Sequence, residues 1–346
     1  MTWPCGRGGS DPRSPLRHRR AVGGEVSGGR FEDSIHDEGG ESLPQDAGQA
    51  RVSVHAPVLL REALAILALE PGQVVVDGTV GAGGHARAIA SAIAPGGRLL
   101  GLDRDAEILV HAKSALAECA PTGVRLFHLS YTEIGSALAA EGLTHCDRVL
   151  LDLGVSSLQL DCSERGFSFM NDGPLDMRMD RSSGEPVAAW LARVRERELA
   201  DVIFRFGEER HSRRIARAIV EARDRTAIRT TGQLAEIVAR AQPRPAHAQR
   251  IHPATRTFQA LRILANDELA TIERGLAAAA QALRPGGRLA VISFHSLEDR
   301  LCKNFLRERM TVLTKKPIVA GDEECRRNPR ARSAKLRAGQ KLEVAG

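Results

Sequence analysis

From Val54 onward, short apolar segments alternate with longer segments whose apolar residues recur at helical spacing. The apolar segments predict strands at residues 74–76, 98–102, 124–127, 148–151 and 289–292. A helix is predicted at 58–69, before the first strand, and further helices at 87–93 and 106–119, each following a strand. Apolar strands that alternate with helices are typical of a parallel sheet covered on both faces. The pattern therefore predicts an α/β fold.

A long Arg-rich stretch of helical periodicity separates the strand at 148–151 from the strand at 289–292. It predicts an inserted all-helical domain at 164–251, with helices at 186–195, 198–204, 212–223 and 231–241, followed by one return helix at 254–283. The predicted main domain then consists of two parts, 52–163 and 252–312. A basic C-terminal segment, 313–346, is predicted to include a terminal hairpin of the sheet.

Residues 1–51 are rich in Gly, Ser, Pro and charge and have almost no periodic apolar residues, which predicts a disordered extension. Its arginines leave an organellar transit peptide open, although acidic residues lie among them, and a mis-assigned start codon is an equal alternative. The chain has no apolar run near the ~20 residues of a membrane span. We therefore expect a protein that is not in the membrane.

The six cysteines contain no C-x-x-C pair, which argues against a zinc knuckle or a disulfide framework and favours the reducing cytoplasm. The net charge of +6 favours a polyanionic partner, because Lys and Arg displace counterions from phosphates. Only 3% of residues are aromatic, and Tyr131 is the single Tyr. Contacts with a polyanionic partner would therefore rely on charge and shape more than on aromatic stacking.

A glycine-rich loop, Asp77-Gly78-Thr79-Val80-Gly81-Ala82-Gly83-Gly84-His85, joins the first predicted strand to its helix. Closely spaced glycines let the backbone approach a ligand, and the helix N-terminus offers unpaired N–H groups. Asp103 follows Gly81 by 22 positions, close to the spacing of an acidic residue that binds ribose hydroxyls. These features predict a nucleoside cofactor and leave a dinucleotide and S-adenosylmethionine as alternatives. Asp77 and the absence of G-x-G-x-x-G spacing favour the latter.

Several long blocks of the sequence resemble one family. They are Asp152-Leu153-Gly154-Val155-Ser156-Ser157-Leu158-Gln159-Leu160-Asp161, Ser293-Phe294-His295-Ser296-Leu297-Glu298-Asp299-Arg300, and the segments 164–169, 172–180, 252–262 and 328–337. The match covers roughly residues 55–337 and resembles the ribosomal RNA small subunit methyltransferase H family, also called MraW or RsmH. The resemblance implies a Rossmann-like class I methyltransferase sheet. It also implies methylation of the exocyclic N4 of one cytosine in the decoding region of bacterial 16S rRNA, within the small ribosomal subunit.

Carried over by position, the resemblance implies that S-adenosyl-L-methionine is the cofactor and assigns its contacts. They fall on Gly83, Gly84, His85, Asp103, Tyr131, Asp152 and Gln159. Many members have Phe at the position of Tyr131, and a Tyr keeps the stacking face. Leu158 stands where some members have Pro, and Thr79 replaces the first glycine of the generic methyltransferase loop.

Asp152 is the first candidate for catalysis, since a carboxylate that accepts from the amino group stabilises the positive charge growing on nitrogen. Ser156 and Ser157, with Gln159, are predicted to hold the rest of the base edge, and the base would be unstacked to reach them. No metal is predicted. His295 is interpreted as a residue that holds neighbouring loops in place. The alternative to a catalytic role for Asp152 is that it is a turn residue that caps the following segment.

The RNA is predicted to bind the arginines of the insertion, namely Arg205, Arg210, Arg213, Arg214 and Arg217, and the basic tail. Two other functions stay open at this point. One is a methyltransferase of the same fold that acts on DNA or another base, and the other is a basic RNA-binding or assembly factor without turnover. Monomer and homodimer are both compatible with the sequence.

Overall fold

The computed structural model describes residues 57–117, 123–243 and 252–343. The predicted extension at 1–51, together with its alternatives, lies outside the described residues. Within the part described, no helix combines the length and apolar character that crossing a membrane requires.

The described residues form seven strands and thirteen α-helices. The strands are β1 (Val74–Asp77), β2 (Arg98–Asp103), β3 (Val124–His128), β4 (Cys146–Asp152), β5 (Leu283–Ser293), β6 (Thr311–Val312) and β7 (Lys335–Gln340). The helices are α1 (Leu60–Leu67), α2 (Gly84–Ala92), α3 (Ala106–Ala117), α4 (Ile134–Ala140), α5 (Ser157–Asp161), α6 (Val187–Leu191), α7 (Glu196–Gly207), α8 (Ser212–Arg223), α9 (Thr231–Ala241), α10 (Thr255–Ala265), α11 (Glu268–Ala282), α12 (Ser296–Arg309) and α13 (Asp322–Arg327). Each predicted strand is present within a few residues of its expected position.

All seven strands belong to one sheet in the order β3-β2-β1-β4-β5-β7-β6. The first five pair in parallel, and β7 runs antiparallel between β5 and β6. Five parallel strands with one reversed strand beside the edge are the arrangement of the class I methyltransferases, so the predicted fold class is confirmed.

The strand order reverses between β1 and β4. The chain proceeds from β1 outward to β2 and β3 and then returns to place β4 on the other side of β1. In open sheets of this kind, ligands bind beyond the carboxyl ends of the strands at the reversal. That edge carries Asp77, Asp103 and Asp152, which are the last residues of β1, β2 and β4.

Two apolar cores cover the sheet because successive strand residues point to opposite faces. Val75 and Leu150 belong to one core, which also contains residues of α1 and α2 and of the C-terminal segment. Val76 and Leu151 belong to the other, with α4, α11 and α12. The near-continuous burial of β4 follows from being covered on both sides.

The insertion has an apolar core cluster of its own, which runs from Phe167 to Leu261 and draws on α6, α7, α8, α9 and α10. The helices predicted at 212–223 and 231–241 have those bounds, whereas α6 is shorter than predicted and α7 is longer. We retain the inserted helical domain at 164–251 as a proposal. Phe258 and Leu261 of α10 also contribute to this cluster.

The single return helix predicted at 254–283 is wrong, because two helices, α10 and α11, occupy that stretch. They are separated by Asn266 and Asp267, and Asp267 has a left-handed φ of 46°. The Asn266 amide donates to Met177 O at 2.7 Å and accepts from Met179 N at 2.8 Å. The helix therefore ends where an Asn side chain bonds to the backbone of a distant segment.

The C-terminal segment supplies β7, which pairs with β5 and with β6. The antiparallel pair of β6 and β7 resembles the predicted hairpin. However, β6 lies at Thr311–Val312, before the predicted boundary at 313, and a helix and a long connection separate the two strands along the chain.

Candidate active site

The glycine-rich loop follows β1 and packs tightly against its neighbours. A Cβ at Gly78 would lie 2.5 Å from Leu151 Cδ2 and 2.9 Å from Tyr131 Cβ, so only a glycine fits. Gly83 precedes α2 with a left-handed φ of 90°, which also favours glycine. Gly84 is the first residue of α2. The loop thus brings its backbone to the carboxyl edge of the sheet, as the sequence predicted.

Hydrogen bonds from both sides hold the loop. Gly81 N donates to Asp103 Oδ2 at 2.9 Å, and Thr79 N donates to Asp77 Oδ1 at 3.2 Å. Asp152 N donates to Thr79 Oγ1 at 2.6 Å. The hydroxyl of Thr79 therefore joins the loop to the end of β4, which a glycine at this position would not do.

Burial raises the pKa values of the three strand-end carboxyls. The pKa of Asp77 rises to about 7 and that of Asp103 to about 6, and the pKa of Asp152 lies well above its usual range. Repulsion between the carboxylates adds to the burial effect, from Asp103 on Asp77 and from Asp77 on Asp152. In the absence of a cation, these carboxyls therefore keep their protons to a higher pH than ordinary Asp side chains do.

Two oxygens of the strand-end carboxyls are buried without a hydrogen-bond partner among the described residues, namely Asp77 Oδ2 and Asp152 Oδ1. A buried polar atom without a partner destabilises the fold, by about 1–3 kcal/mol. Ligand groups with N–H or O–H donors would satisfy these oxygens, and a positive charge nearby would stabilise the carboxylates. These carboxylate acceptors therefore fit a cationic nucleoside.

His85, the second residue of α2, lies between the loop and Asp152. Its Nε2 is 3.0 Å from Val58 O, an acceptor, so Nε2 carries the proton in that hydrogen bond. Burial lowers the pKa of His85 to about 4, so the ring is neutral at pH 7 and Nδ1 is unprotonated. Nδ1 is 3.5 Å from Asp152 Oδ2, an approach that is favourable when Asp152 holds a proton.

The predicted residues Ser156 and Gln159 form a capping box at the start of α5. The Ser156 hydroxyl accepts from Gln159 N at 3.1 Å, and Ser156 N donates to Gln159 Oε1 at 2.9 Å. Ser157 is the first residue of α5, and its hydroxyl contacts Arg330. Ser156 thus has a structural role in the capping box, while contacts of these side chains with a substrate or cofactor stay predictions.

The sequence reasoning missed Asp105 and Arg165, which form a buried ion pair at 2.7 Å. Gln159 Nε2 also donates to Asp105, at 2.7 Å, and Arg165 donates to the backbone oxygen of Met179 at 2.8 Å. The pair therefore joins the end of β2, α5 and the first part of the predicted insertion, which contains Arg165 and Met179. The only sequence signal for this ion pair is Asp105 itself, a second Asp two positions after Asp103.

Tyr131 follows β3 and begins a 3₁₀ helix, Tyr131–Glu133. Its Cβ lies beside Gly78 of the loop, and its ring lies over Gly275 of α11. A Cβ at Gly275 would be 2.1 Å from Tyr131 Cδ2 and 2.3 Å from Cε2, so the ring occupies space that the missing side chain leaves. Gly275 positions the predicted adenine-stacking residue, and sequence reasoning did not identify it.

His295 precedes α12 and pairs with Glu298, with 3.2 Å between Nε2 and Oε1. Together with Glu268, these side chains have ligand atoms within 4.8 Å of one another, a spacing compatible with a metal ion. However, Arg262 donates to both oxygens of Glu268, each at 2.8 Å, and thus supplies a cation from the protein itself. His295 joins the start of α12 to this cluster, and the absence of a metal stays a prediction.

Comparisons with known proteins place this geometry in context. The model of the MraW methylase family matches residues 52–342. The chain is similar to proteins named ribosomal RNA small subunit methyltransferase H. The protein from Trichlorobacter lovleyi is 49% identical over 308 residues, which is 83% of this chain and 98% of the relative. The protein from Deinococcus radiodurans is 51% identical over 289 residues, which is 83% of this chain and 89% of the relative.

Proposed function

The chain belongs to the MraW methylase family, and from that membership we propose that it methylates the exocyclic N4 of one cytosine in the decoding region of bacterial 16S rRNA. The methyl donor is S-adenosyl-L-methionine, and the substrate class is small subunit rRNA. The reaction would take place in the cytoplasm, where this RNA is found. The observation that carries the proposal is the buried, unpartnered Oδ1 of Asp152 beside the glycine-rich loop.

The side chains at the sheet edge have separate tasks in this reaction. When bound, S-adenosylmethionine supplies an electrophilic methyl group on a positively charged sulfur. The loop at Gly83 and Gly84 and the carboxylate of Asp77 would hold the methionine end, while Asp103 would accept from the ribose hydroxyls. Tyr131 would stack on the adenine, since an aromatic face suits a base.

Asp152 would act on the target base. The amino nitrogen of cytosine is a poor nucleophile because its lone pair is delocalised into the ring, so orientation of the base is the main requirement. As the N–C bond forms and the S–C bond breaks, positive charge grows on the nitrogen and one amino proton must leave. A carboxylate at Asp152 accepts from the amino group, stabilises that charge and receives the proton.

The RNA would lie against the arginines of the insertion. Arg205 on α7 and Arg210, Arg213, Arg214 and Arg217 on and before α8 all have exposed side chains. Arg217 pairs with Glu196 at 3.6 Å, a surface contact that an RNA phosphate replaces at little cost. We expect binding to weaken steeply as salt rises.

The function is tested by incubating 30S subunits, protein-free 16S rRNA and DNA with methyl-labelled S-adenosylmethionine. We expect label in rRNA, and N4-methylcytidine as the modified nucleoside in mass analysis. Label in DNA alone, or a different modified nucleoside in rRNA, would contradict the proposal. Binding of rRNA without any transfer of label would instead indicate an assembly factor.

Cofactor affinity is expected to depend on pH. Because the pKa values of Asp77 and Asp103 are about 7 and about 6, both carboxyls become protonated as the pH falls from 8 to 5.5. A cationic cofactor binds the ionised forms, so its affinity should decrease by about tenfold or more over this range. Titration calorimetry at pH 6 in two buffers of different ionisation enthalpy should also detect proton release. An affinity that is constant from pH 5.5 to 8 would contradict the assignment.

A further inference from the structure

The segment at 321–334, here called the C-terminal strap, returns from α12 to the active site. It consists of α13 and a 3₁₀ helix, Pro329–Ser333. Its Glu324 accepts from Leu59 N at 2.7 Å, next to Val58, whose carbonyl holds His85. At its other end, Arg330 contacts α5, which begins five residues after Asp152. The strap thus joins two elements that border the site.

Arg330 makes contacts that its basic neighbours do not. One guanidinium nitrogen donates to the Ser157 hydroxyl, and another is 3.2 Å from Asp161 Oδ1. In contrast, Lys335 and Arg337 both pair with Asp299 of α12. Of Arg330, Lys335 and Arg337, it is therefore Arg330 that contacts α5, the helix that follows Asp152.

The exposure of the Arg330 ion pair indicates that its carboxylate is replaceable. The side chain of Arg330 is 29% exposed and that of Asp161 is 56% exposed. An ion pair this accessible to water contributes about 0–1 kcal/mol. A guanidinium has five N–H donors in a planar fork that suits phosphate, so an RNA phosphate can take the place of Asp161 at little cost.

We propose that Arg330 is a substrate-positioning residue, which fixes the Ser157 hydroxyl and binds a phosphate of the RNA backbone next to the target nucleotide. Asp161 occupies the phosphate position in the free protein. This inference rests on the proposed function, since the phosphate belongs to the RNA whose base reaches Asp152. Partial burial of the guanidinium lowers the pKa of Arg330, and a phosphate would reverse that effect.

The test compares Arg330→Gln with Arg332→Gln, which removes the same charge from an exposed side chain of the same 3₁₀ helix. We expect Arg330→Gln to lower kcat/KM for rRNA by about ten- to hundredfold, the effect of losing hydrogen bonds to a charged group. The affinity for S-adenosylmethionine and the Tm should stay close to those of the wild type. Arg332→Gln removes one charge of the predicted RNA-binding tail, so it should lower kcat/KM only slightly, by less than about threefold, and Arg330→Lys should recover part of the larger loss.

Two further measurements separate phosphate binding from a merely structural contact. Arg330→Gln should reduce the slope of log affinity against log salt for a 16S fragment by about 0.7–0.9, the value for one phosphate contact. Asp161→Asn should keep or increase RNA affinity, since it removes the negative charge that competes with the phosphate for the guanidinium. A structural contact alone predicts that Asp161→Asn impairs the enzyme as Arg330→Gln does.

Equal effects of Arg330→Gln and Arg332→Gln would overturn the inference, as would a loss of activity in Arg330→Gln matched by lower Tm or weaker cofactor binding. An Asp161→Asn variant as impaired as Arg330→Gln would overturn it too. Turnover by the wild type tests the proposed function separately. If wild-type enzyme methylates rRNA and the Arg330 variants behave as Arg332→Gln does, only this inference fails.

Discussion

Replacement of Asp152 by asparagine is expected to lower kcat for rRNA methylation by about 10²–10³-fold, the usual cost of removing one electrostatic stabiliser of a transition state. The amide matches the carboxylate in size, so the loop and α5 should keep their positions. It carries no negative charge and does not accept the amino proton. The expected loss therefore lies in kcat rather than in KM for the RNA, which single-turnover kinetics with saturating cofactor would measure.

The same substitution is expected to stabilise the protein in the absence of ligands. The folded-state pKa of Asp152 lies above its unfolded value, so this carboxyl destabilises the fold progressively as the pH rises above that unfolded value. The substituted amide does not ionise, so the Tm advantage of Asp152→Asn should be larger at pH 8 than at pH 5.5. A pKa that differs by one between the folded and unfolded states corresponds to about 1.4 kcal/mol.

Asp147 provides the matched control, because it lies near the opposite end of β4. Its Oδ2 accepts from Val74 N at 2.7 Å, and its other oxygen pairs with Arg284. Asp147→Asn should therefore lower Tm and leave turnover unchanged, the reverse of the pattern at Asp152. An Asp152→Asn variant with wild-type kcat would remove Asp152 from the mechanism.

Replacement of Gly275 by alanine is expected to weaken the binding of S-adenosylmethionine by about tenfold or more. A methyl group at this position would lie 2.1 Å from the ring of Tyr131, so the ring must move. A base–aromatic stack is worth about 1–3 kcal/mol, which sets the size of the effect. Titration calorimetry of the variant and the wild type would measure the change in affinity.

Gly135 in α4 is the control for Gly275, since it is also a helical glycine but has no atom within 4 Å of its added Cβ. Gly135→Ala should increase the free energy of unfolding by about 0.5–1 kcal/mol and leave cofactor affinity unchanged. Tyr131→Phe should keep the affinity of the wild type, because the stacking face is retained. If Gly275→Ala binds the cofactor as well as the wild type does, Tyr131 does not stack on the adenine.

Most of the sheet and the loop were predictable because local signals specify them. An apolar run such as the three valines at 74–76 is buried on both faces of a covered parallel sheet, and glycines such as Gly83 adopt a left-handed φ that other residues avoid. The carboxyls at the strand ends follow from the same pattern, since parallel strands bring their ends to one edge. The break between α10 and α11 was not predicted, because Asn266 ends the helix through bonds to Met177 and Met179 in a distant segment.

The sequence by itself determined the α/β class, the glycine-rich loop and the acidic residues at the ends of β1, β2 and β4, because these depend on residues close together along the chain. The tertiary structure alone decided that Gly275 makes room for Tyr131, that Asp105 pairs with Arg165, and that Arg330 reaches Ser157 across 173 positions. It also decided the ionisation of the carboxyls. The physical reason is that packing and desolvation depend on which distant groups meet, and neither periodicity nor spacing encodes that.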